Sequence, residues 1–213
     1  MISISRIDKA LLSRGKPMML ALAAFSLLAL AGCSQEASRP PCPAGQVCLQ
    51  AGNGSEPATL DPHKSTGTWE DRIISDLTVG LLTSDAAGES IPGMAERWTT
   101  SADGKTWTFY LRDAVWSDGV PVTADDFVFS LRRILDPKLA SEYASLLYFI
   151  KNAQPVNEGK APGTAVGARA ISPKVLEITL EHPAPYITEV AKHQTMLPVP
   201  KHVLMSNRMD SLS

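Results

Sequence analysis

One short stretch of the chain, residues 106–133, contains three aspartates that could form a catalytic group. Asp118, Asp125 and Asp126 lie beside apolar residues, and paired carboxylates in such a setting can serve as general acid and base. Local structure explains them without chemistry, because Asp118 begins an Asp-Gly turn. The other two fall in the predicted first turn of a helix, where the helix dipole favours negative charge. The stretch is therefore predicted to be scaffold.

The other reactive residue types form no catalytic or metal-binding pattern in the sequence. The histidines are scattered with no i, i+4 pair, so a local metal site is not predicted. Neither a G-x-S-x-G nucleophile elbow nor a glycine-rich phosphate loop is present. We expect no enzyme activity, no metal and no cofactor. The histidines are His63, His182, His193 and His202.

The N-terminus has the composition of an export signal. Basic residues precede an apolar run over residues 18–31, which is too short to be a comfortable membrane span. The sequence LAGC at residues 30–33 resembles the bacterial lipobox, in which the cysteine is acylated and becomes the new N-terminus. This resemblance implies a signal peptide over residues 1–32, lipid attachment at Cys33 and a position on the periplasmic face of a bacterial membrane. A plain signal peptide with an incidental cysteine is the alternative.

The charge of the exported part excludes one class of partner. Without residues 1–32, 16 Lys and Arg stand against 21 Asp and Glu, which gives a net charge of −5. A mildly acidic chain with no basic cluster lacks the electrostatic footprint of a nucleic-acid-binding protein. We expect no nucleic-acid partner, and any membrane association comes from the lipid.

Residues 33–52 are rich in Ser, Pro, Gly, Ala and Gln and read as a flexible tether. The tether contains Cys42 and Cys48, an even pair on the exported side, where disulfides persist. A disulfide is the favoured prediction, with two free thiols as the alternative. A metal site is disfavoured because the spacing is too long and no histidine pair accompanies the cysteines.

The elements around the aspartates follow from periodicity. Residues 106–111 alternate between polar and apolar side chains, as in a strand with one buried face, and residues 114–119 are expected to form a short partner strand. Thr123 stands three residues before Asp126, a spacing that caps a helix start. That helix is expected to bury Phe127, Leu131 and Leu135 and to stop before Pro137, while Trp98 and Trp107 are expected to lie in the core.

The rest of the chain predicts a mixed α/β fold built from small antiparallel units. A hairpin with its turn at Ser172-Pro173 is expected over residues 169–182. The segment 197–204 is expected to be extended and to lead into a final short helix. Further helices are predicted over residues 71–80, 94–98, 140–153 and 183–193.

One long run of residues carries a family likeness. The sequence IPGMAERWTTSADGKTWTFYLRDAVWSDGVPVTADDFVFSLRRILDP (91–137) resembles the signature of the large peptide-binding solute receptors of ABC importers, family 5 of the extracellular solute-binding proteins. The likeness is to the oligopeptide- and dipeptide-binding members. It extends through NGSEPATLDPHKSTGTWE (53–70), ASEYAS (140–145) and PAPYITEVAKHQTMLPVPKHV (183–203).

This resemblance implies a fold and a set of partners. The fold would be periplasmic-binding-protein-like, with residues 53–78 as the first segment of the main ligand-binding lobe and residues 79–200 as an extra α/β lobe. Residues 201–213 would return toward the first lobe. The implied partners are peptides and the permease and ATPase subunits of an importer, and the receptor is expected to be a monomer. Nickel or haem as the solute is an alternative within the family, but the SEYAS and LDPHKSTG matches favour peptide.

The resemblance also implies the residues that contact a peptide. Thr66, Gly67 and Thr68 match the segment whose backbone pairs with the ligand as an added strand, a mode that suits a receptor indifferent to peptide sequence. Thr66 stands where an acidic residue is known in the family. Tyr143 matches a tyrosine that reaches toward the ligand, with packing within its own lobe as the alternative. Trp69 and His63 are weaker candidates.

The chain departs from the family in length, since members are more than twice as long. The opposing lobe, with the aspartate that binds the peptide amino group, is expected to be missing, and residues 56–60 are expected to be an exposed strand edge. A cleft with one wall buries less of its ligand, so we expect weak peptide binding. The alternative, from a different class, is a stand-alone lipoprotein module with a structural or interaction role and no solute.

Overall fold

A computed structural model describes residues 42–48 and 52–210 of the chain. The predicted signal peptide over residues 1–32 and the proposed lipid site at Cys33 lie outside the described residues. In the short piece 42–48, Cys42 and Cys48 are joined by a disulfide with a Cα–Cα distance of 5.8 Å. The residues from Gly52 onward form one compact unit, which is described on its own below. Among the described helices, none has the length and apolar character that crossing a membrane requires.

A four-stranded antiparallel sheet forms the centre of this unit, with the strand order β3-β4-β6-β5. Strand β4 (Thr106–Leu111) is central and alternates as predicted, with Trp107, Phe109 and Leu111 buried. Trp98, on the neighbouring strand β3, is only partly buried against the core. The other strands are β3 (Ala95–Thr100), β5 (Ala168–Ser172) and β6 (Val175–Thr179), while β1 (Leu82–Ser84) and β2 (Ser90–Pro92) form a separate two-stranded sheet.

The longest helix, α2 (Ala124–Ile134), packs on strands β5 and β6 of this sheet. It buries Phe127 and Leu131, and Leu135 is buried directly after its end, so the prediction for this helix is confirmed. The other helices are α1 (Thr68–Leu77), α3 (Ala153–Asn157), α4 (Ile187–Val190) and α5 (Lys201–Asp210). Short 3₁₀ helices cover Ala144–Leu147, Gly163–Ala165 and Gln194–Met196.

The hairpin predicted over residues 169–182 is confirmed by β5 and β6, but two other strand predictions are wrong. Residues 114–119 form no strand beside β4; Val115 makes a single bridge to Pro121, and both edges of β4 are already paired with β3 and β6. The Asp-Gly turn predicted inside that segment is present, and Gly119 adopts a φ of 86° that favours glycine. Residues 56–60 contain no strand, so the predicted exposed edge is absent from them.

Several predicted helices have different bounds because tertiary contacts override local periodicity. The first helix ends at Leu77, and Leu81 and Leu82 are buried where the chain pairs with residues 93–95. The helix predicted over 94–98 is wrong, since strand β3 runs through it.

The helix predicted over 140–153 is also wrong. Ala140 and Asn152 adopt left-handed φ values of 54° and 59°, which interrupt a right-handed helix, and Ile150 bridges to Leu180. Only α4 remains of the helix predicted over 183–193. Residues 197–204 were expected to be extended, but helix α5 already begins at Lys201.

The three aspartates have structural surroundings. Asp118 accepts the backbone N–H of Val120 at 3.1 Å and contacts His202 at 2.6 Å, and Asp125 is exposed. Asp126 is buried, and one of its carboxylate oxygens accepts the backbone N–H of Thr123 at 2.9 Å. The other oxygen accepts the backbone N–H of Lys201 at 3.2 Å. One carboxylate therefore satisfies donors at the starts of both α2 and α5.

Replacing Asp126 with alanine should destabilise the fold by about 2 kcal/mol, because the substitution leaves two partly buried N–H groups without an acceptor. Urea unfolding followed by circular dichroism measures the change. The control is Asp125→Ala, which removes an exposed aspartate from the same helical turn and should cost much less. Equal losses for the two variants would contradict the role assigned to Asp126.

Candidate functional site

The segment Thr66–Thr68 presents an exposed stretch of backbone just before helix α1. Gly67 is extended, with φ −101° and ψ 156°, and Thr66 and Thr68 are exposed. The carbonyl of Gly67 accepts the N–H of Asp71 at 3.2 Å. Among the described residues, the N–H groups of Thr66 and Gly67 form no hydrogen bond. These two donors are free to bind a carbonyl oxygen from another molecule.

Tyr143 lies against the same segment. Its hydroxyl donates to the carbonyl oxygen of Thr66 at 3.2 Å, and its ring meets the His193 ring edge-on with 5.8 Å between centroids. The chain reaches this position from the left-handed turn at Ala140 and continues into the 3₁₀ helix Ala144–Leu147. The structure therefore brings together Tyr143 and the three predicted backbone residues.

Gly67 is required because of a buried glutamate that sequence reasoning missed. A Cβ atom at residue 67 would lie 2.1 Å from Oε2 of Glu70, far inside contact distance. Glu70 is 5% exposed, and its other oxygen accepts the N–H of Ala58 at 2.8 Å, so the carboxylate is held in place. Glu70 is the third residue of α1, a position that could have identified it in the sequence, but its carboxylate accepts from Ala58 and forms no hydrogen bond with the start of the helix.

A second group missed from the sequence holds the residues before Thr66. The Arg133 guanidinium on α2 donates to a carboxylate oxygen of Asp61 at 2.9 Å and lies 2.9 Å from Nδ1 of His63. Nε2 of His63 lies 3.1 Å from the carbonyl oxygen of Leu197. A carbonyl oxygen only accepts, so Nε2 carries the proton and Nδ1 accepts from Arg133. His63 is 1% exposed, which places it beneath the site rather than in contact with a ligand.

Burial and charge shift the pKa values in this cluster. Burial lowers the pKa of His63 from 6.5 to about 4, because the charged imidazolium would lose its hydration and face Arg133. Burial by itself would raise the pKa of Asp61, but the hydrogen bond and the charge of Arg133 outweigh it, and the pKa falls below its usual value. At neutral pH the cluster is a neutral histidine beside an ion pair.

Ser65 is joined to a residue far along the chain. Its hydroxyl donates to the side-chain oxygen of Gln194 at 2.9 Å, and the Gln194 amide donates back to the carbonyl oxygen of Ser65 at 2.9 Å. Both side chains are buried. Sequence reasoning missed Gln194 because 129 residues separate the partners.

Two of the concave surfaces in the described part of the chain bear on the candidate site. A cavity of about 410 Å³ is lined by Thr68, Trp69 and Arg72 together with residues 52–54, and Trp69 is 44% exposed. A larger cavity of about 630 Å³ is lined by α2 and by residues 136–139 and 156–163, and it includes none of the four predicted peptide-contact residues. Among the described residues, no group of three or more acidic, histidine or cysteine side chains could hold a metal ion.

Stability should fall as pH decreases from 6.5 to 4. Unfolded His63 binds a proton in this range whereas buried His63 does not, so the unfolded state gains on the order of 3 kcal/mol. The contribution of Asp61 is lost only at lower pH, as the pH falls from the ordinary pKa of an aspartate through the lowered pKa of Asp61. Burial also lowers the pKa of His193, so this residue changes the stability in the same direction. The effect of His63 is therefore measured as the difference in pH-dependent stability between variants.

Urea unfolding at several pH values measures this difference. His63→Gln should flatten the profile, while His182→Gln, which changes an exposed histidine, should leave it steep. Parallel profiles for wild type and His63→Gln would contradict the buried neutral state of His63.

Comparison with known proteins assigns the chain to a family. Residues 89–210 match the profile of the bacterial extracellular solute-binding proteins, family 5 Middle. The chain is 49% identical over 156 residues to the periplasmic oligopeptide-binding protein OppA of Escherichia coli (strain K12), a match covering 72% of this chain and 28% of that protein.

Solved structures give the same result. The crystal structure of Haemophilus influenzae OppA in complex with RPPGFSPFR matches with a TM-score of 0.71 and 43% identity, over 72% of this chain and 31% of that one. An oligopeptide ABC transporter substrate-binding domain from Bacillus anthracis matches with a TM-score of 0.68 and 40% identity, over 69% of this chain and 29% of that one.

These matches agree with the periplasmic-binding-protein-like fold predicted from the sequence, and the chain spans about 30% of the length of each relative. The relatives are named for the solutes that they bind, not for a reaction. The profile match and the identity to these proteins together show that the chain belongs to family 5 of the bacterial extracellular solute-binding proteins.

Proposed function

We propose that the chain binds oligopeptides as the solute-binding component of an ABC-type importer, through the backbone of Thr66–Thr68. The observation that carries the proposal is the extended, partly exposed Gly67, with N–H groups at positions 66 and 67 that form no hydrogen bond among the described residues. Every peptide offers carbonyl oxygens at regular spacing, so backbone donors can recognise peptides of any sequence. The peptide named in the Haemophilus influenzae OppA structure supports this choice of solute.

In this proposal, few side chains of the protein contact the peptide, and those that do accept several types of peptide side chain. Tyr143 would border the ligand, since its hydroxyl already bonds to Thr66. A peptide side chain next to Thr68 would enter the 410 Å³ cavity and rest on the exposed face of Trp69. An aromatic face accepts apolar and cationic side chains alike. This tolerance suits a receptor that selects by backbone.

The organisation expected from the family likeness completes the proposal. Residues 53–78 would belong to the main ligand-binding lobe, residues 79–200 to an extra lobe, and residues 201–213 to a return segment. The chain would act as a monomer in the periplasm and deliver peptide to permease and ATPase subunits. Cys33 would carry the lipid that holds it at the membrane, and the Cys42–Cys48 disulfide would close a small loop in the tether.

Peptide should protect two particular amides. With a mixed pool of tri- to pentapeptides, the N–H groups of Thr66 and Gly67 should shift in ¹⁵N NMR spectra and exchange more slowly with solvent. The N–H of Asp71 is already bonded and should change little. A few exposed hydrogen bonds predict an affinity of about 1 mM.

Thr66→Pro removes one donor and should weaken binding roughly tenfold, whereas Thr66→Ala keeps the N–H and should bind as wild type does. Unchanged sheet signals confirm that both variants fold. If Thr66 and Gly67 stay unshifted at saturating peptide, the proposed function is wrong and a stand-alone lipoprotein module becomes the better account.

The lipid anchor predicts selective acylation. Cells expressing the full chain should incorporate a palmitate analogue into it, and Cys33→Ala should abolish the label, because the acylated thiol is gone. The control is Cys42→Ser, which removes a cysteine from the tether and should leave labelling intact. Equal labelling of the wild type and the Cys33→Ala variant would contradict the anchor.

A further inference from the structure

The contact between Ser65 and Gln194 is unusual in being reciprocal. The Ser65 hydroxyl donates to Oε1 of Gln194 at 2.9 Å, and Nε2 of Gln194 donates to the backbone carbonyl of Ser65 at 2.9 Å. Ser65 is 3% exposed and Gln194 is 5% exposed. The neutral amide donates and accepts with one planar group, whereas an ionised carboxylate can only accept and a leucine side chain can do neither.

The contact lies next to the free donors of the candidate site. Ser65 is followed directly by Thr66, whose N–H is free and whose carbonyl is bonded to Tyr143. On the other side, the N–H of Ser65 donates to the carbonyl of Asp61 at 3.1 Å, closing a turn. The Gln194 contact is thus the last tertiary anchor before the exposed backbone begins.

Gln194 is itself held firmly. It begins the 3₁₀ helix Gln194–Met196, whose residues are all buried, and α2 packs against this helix. Three residues later the carbonyl of Leu197 contacts His63 at 3.1 Å. Gln194 and Leu197 therefore form hydrogen bonds with Ser65 and His63, respectively. A side chain fixed at this place can set the direction in which the next backbone groups point.

We propose that Gln194 is a positioning residue that fixes the direction of the Thr66 and Gly67 N–H groups through Ser65, and so sets affinity for peptide without touching it. The effect on peptide affinity rests on the proposed function, but the positioning of the two N–H groups is measurable without ligand. A free, exposed segment would lose conformational entropy on pairing with a peptide. The Gln194 contact removes much of that freedom beforehand.

The test is Gln194→Glu, which keeps the size of the side chain. The ionised carboxylate still accepts from the Ser65 hydroxyl, but it cannot donate to the Ser65 carbonyl and repels it, and spectra at about pH 7 and about pH 9 separate this state from a protonated carboxyl, which could do both. The matched control is Ser130→Ala. This change removes a buried hydroxyl on α2 that donates to the carbonyl of Asp126 at 2.7 Å and accepts the N–H of Val199 at 2.8 Å, and neither bond involves residues 63–68. Both variants lose a buried polar contact, so both should lose some global stability.

Backbone ¹⁵N relaxation of the unliganded chain separates the two variants. In Gln194→Glu, order parameters at Thr66 and Gly67 should fall from about 0.85 to below about 0.6, while those of strand β4 stay high. Ser130→Ala should leave all of them unchanged. Affinity for the peptide pool should fall roughly tenfold in Gln194→Glu only, as expected if about 1.4 kcal/mol of pre-organisation is lost.

Order parameters at Thr66 and Gly67 that match wild type in a folded Gln194→Glu variant overturn the inference, whatever the peptide does. If Gln194→Glu does not fold, Ser65→Ala serves instead. That variant removes the hydroxyl bond and keeps the carbonyl bond, so it should give a smaller loss of order at the same two residues, and no loss overturns the inference. Absence of any peptide response in wild type overturns the proposed function, while the relaxation data still decide whether Gln194 positions the segment.

Discussion

The contact of Arg133 with Asp61 and His63 is the constraint on which the candidate site depends. It joins the irregular N-terminal segment to α2 across about 70 residues of sequence, and α2 is packed on the central sheet. Without it, Asp61 and a neutral buried histidine would lie beneath the site with no shared partner, an arrangement that is costly in a low-dielectric interior. The sheet and α2 therefore act as a platform, and the exposed backbone of Thr66–Thr68 is held on it.

This arrangement suits recognition of backbone better than recognition of side chains. The described site offers free N–H groups, an aromatic face at Trp69 and a tyrosine hydroxyl, while Asp61 and Arg133 are paired with each other. Asp118 and Asp126, which suggested acid and base chemistry, bond to backbone groups and to a histidine. The stretch 106–133 is scaffold, and the groups available for binding lie outside it.

Local patterns predicted the elements whose stability is local. The alternation of β4, the hairpin β5–β6 and the capped start of α2 all follow from short-range spacing, and the family likeness named Thr66, Gly67, Thr68 and Tyr143 together. The sequence could not predict hydrogen bonds between residues that are far apart in the chain and meet only in the folded structure. Arg133 and Gln194 look like ordinary surface-type residues until the chain brings Asp61 and Ser65 to them. The failed helix over 140–153 has the same cause, because burial of Ile150 beside Leu180 outweighs helical periodicity.

The most direct test of the account is a crystal structure of the chain with a bound tripeptide. The account predicts an extended peptide whose carbonyl oxygens lie about 2.9 Å from the N–H nitrogens of Thr66 and Gly67, the usual hydrogen-bond distance. Gln194 and Ser65 should keep their contact. A peptide bound only in the 630 Å³ cavity beside α2, with the Thr66 and Gly67 donors still free, would contradict it.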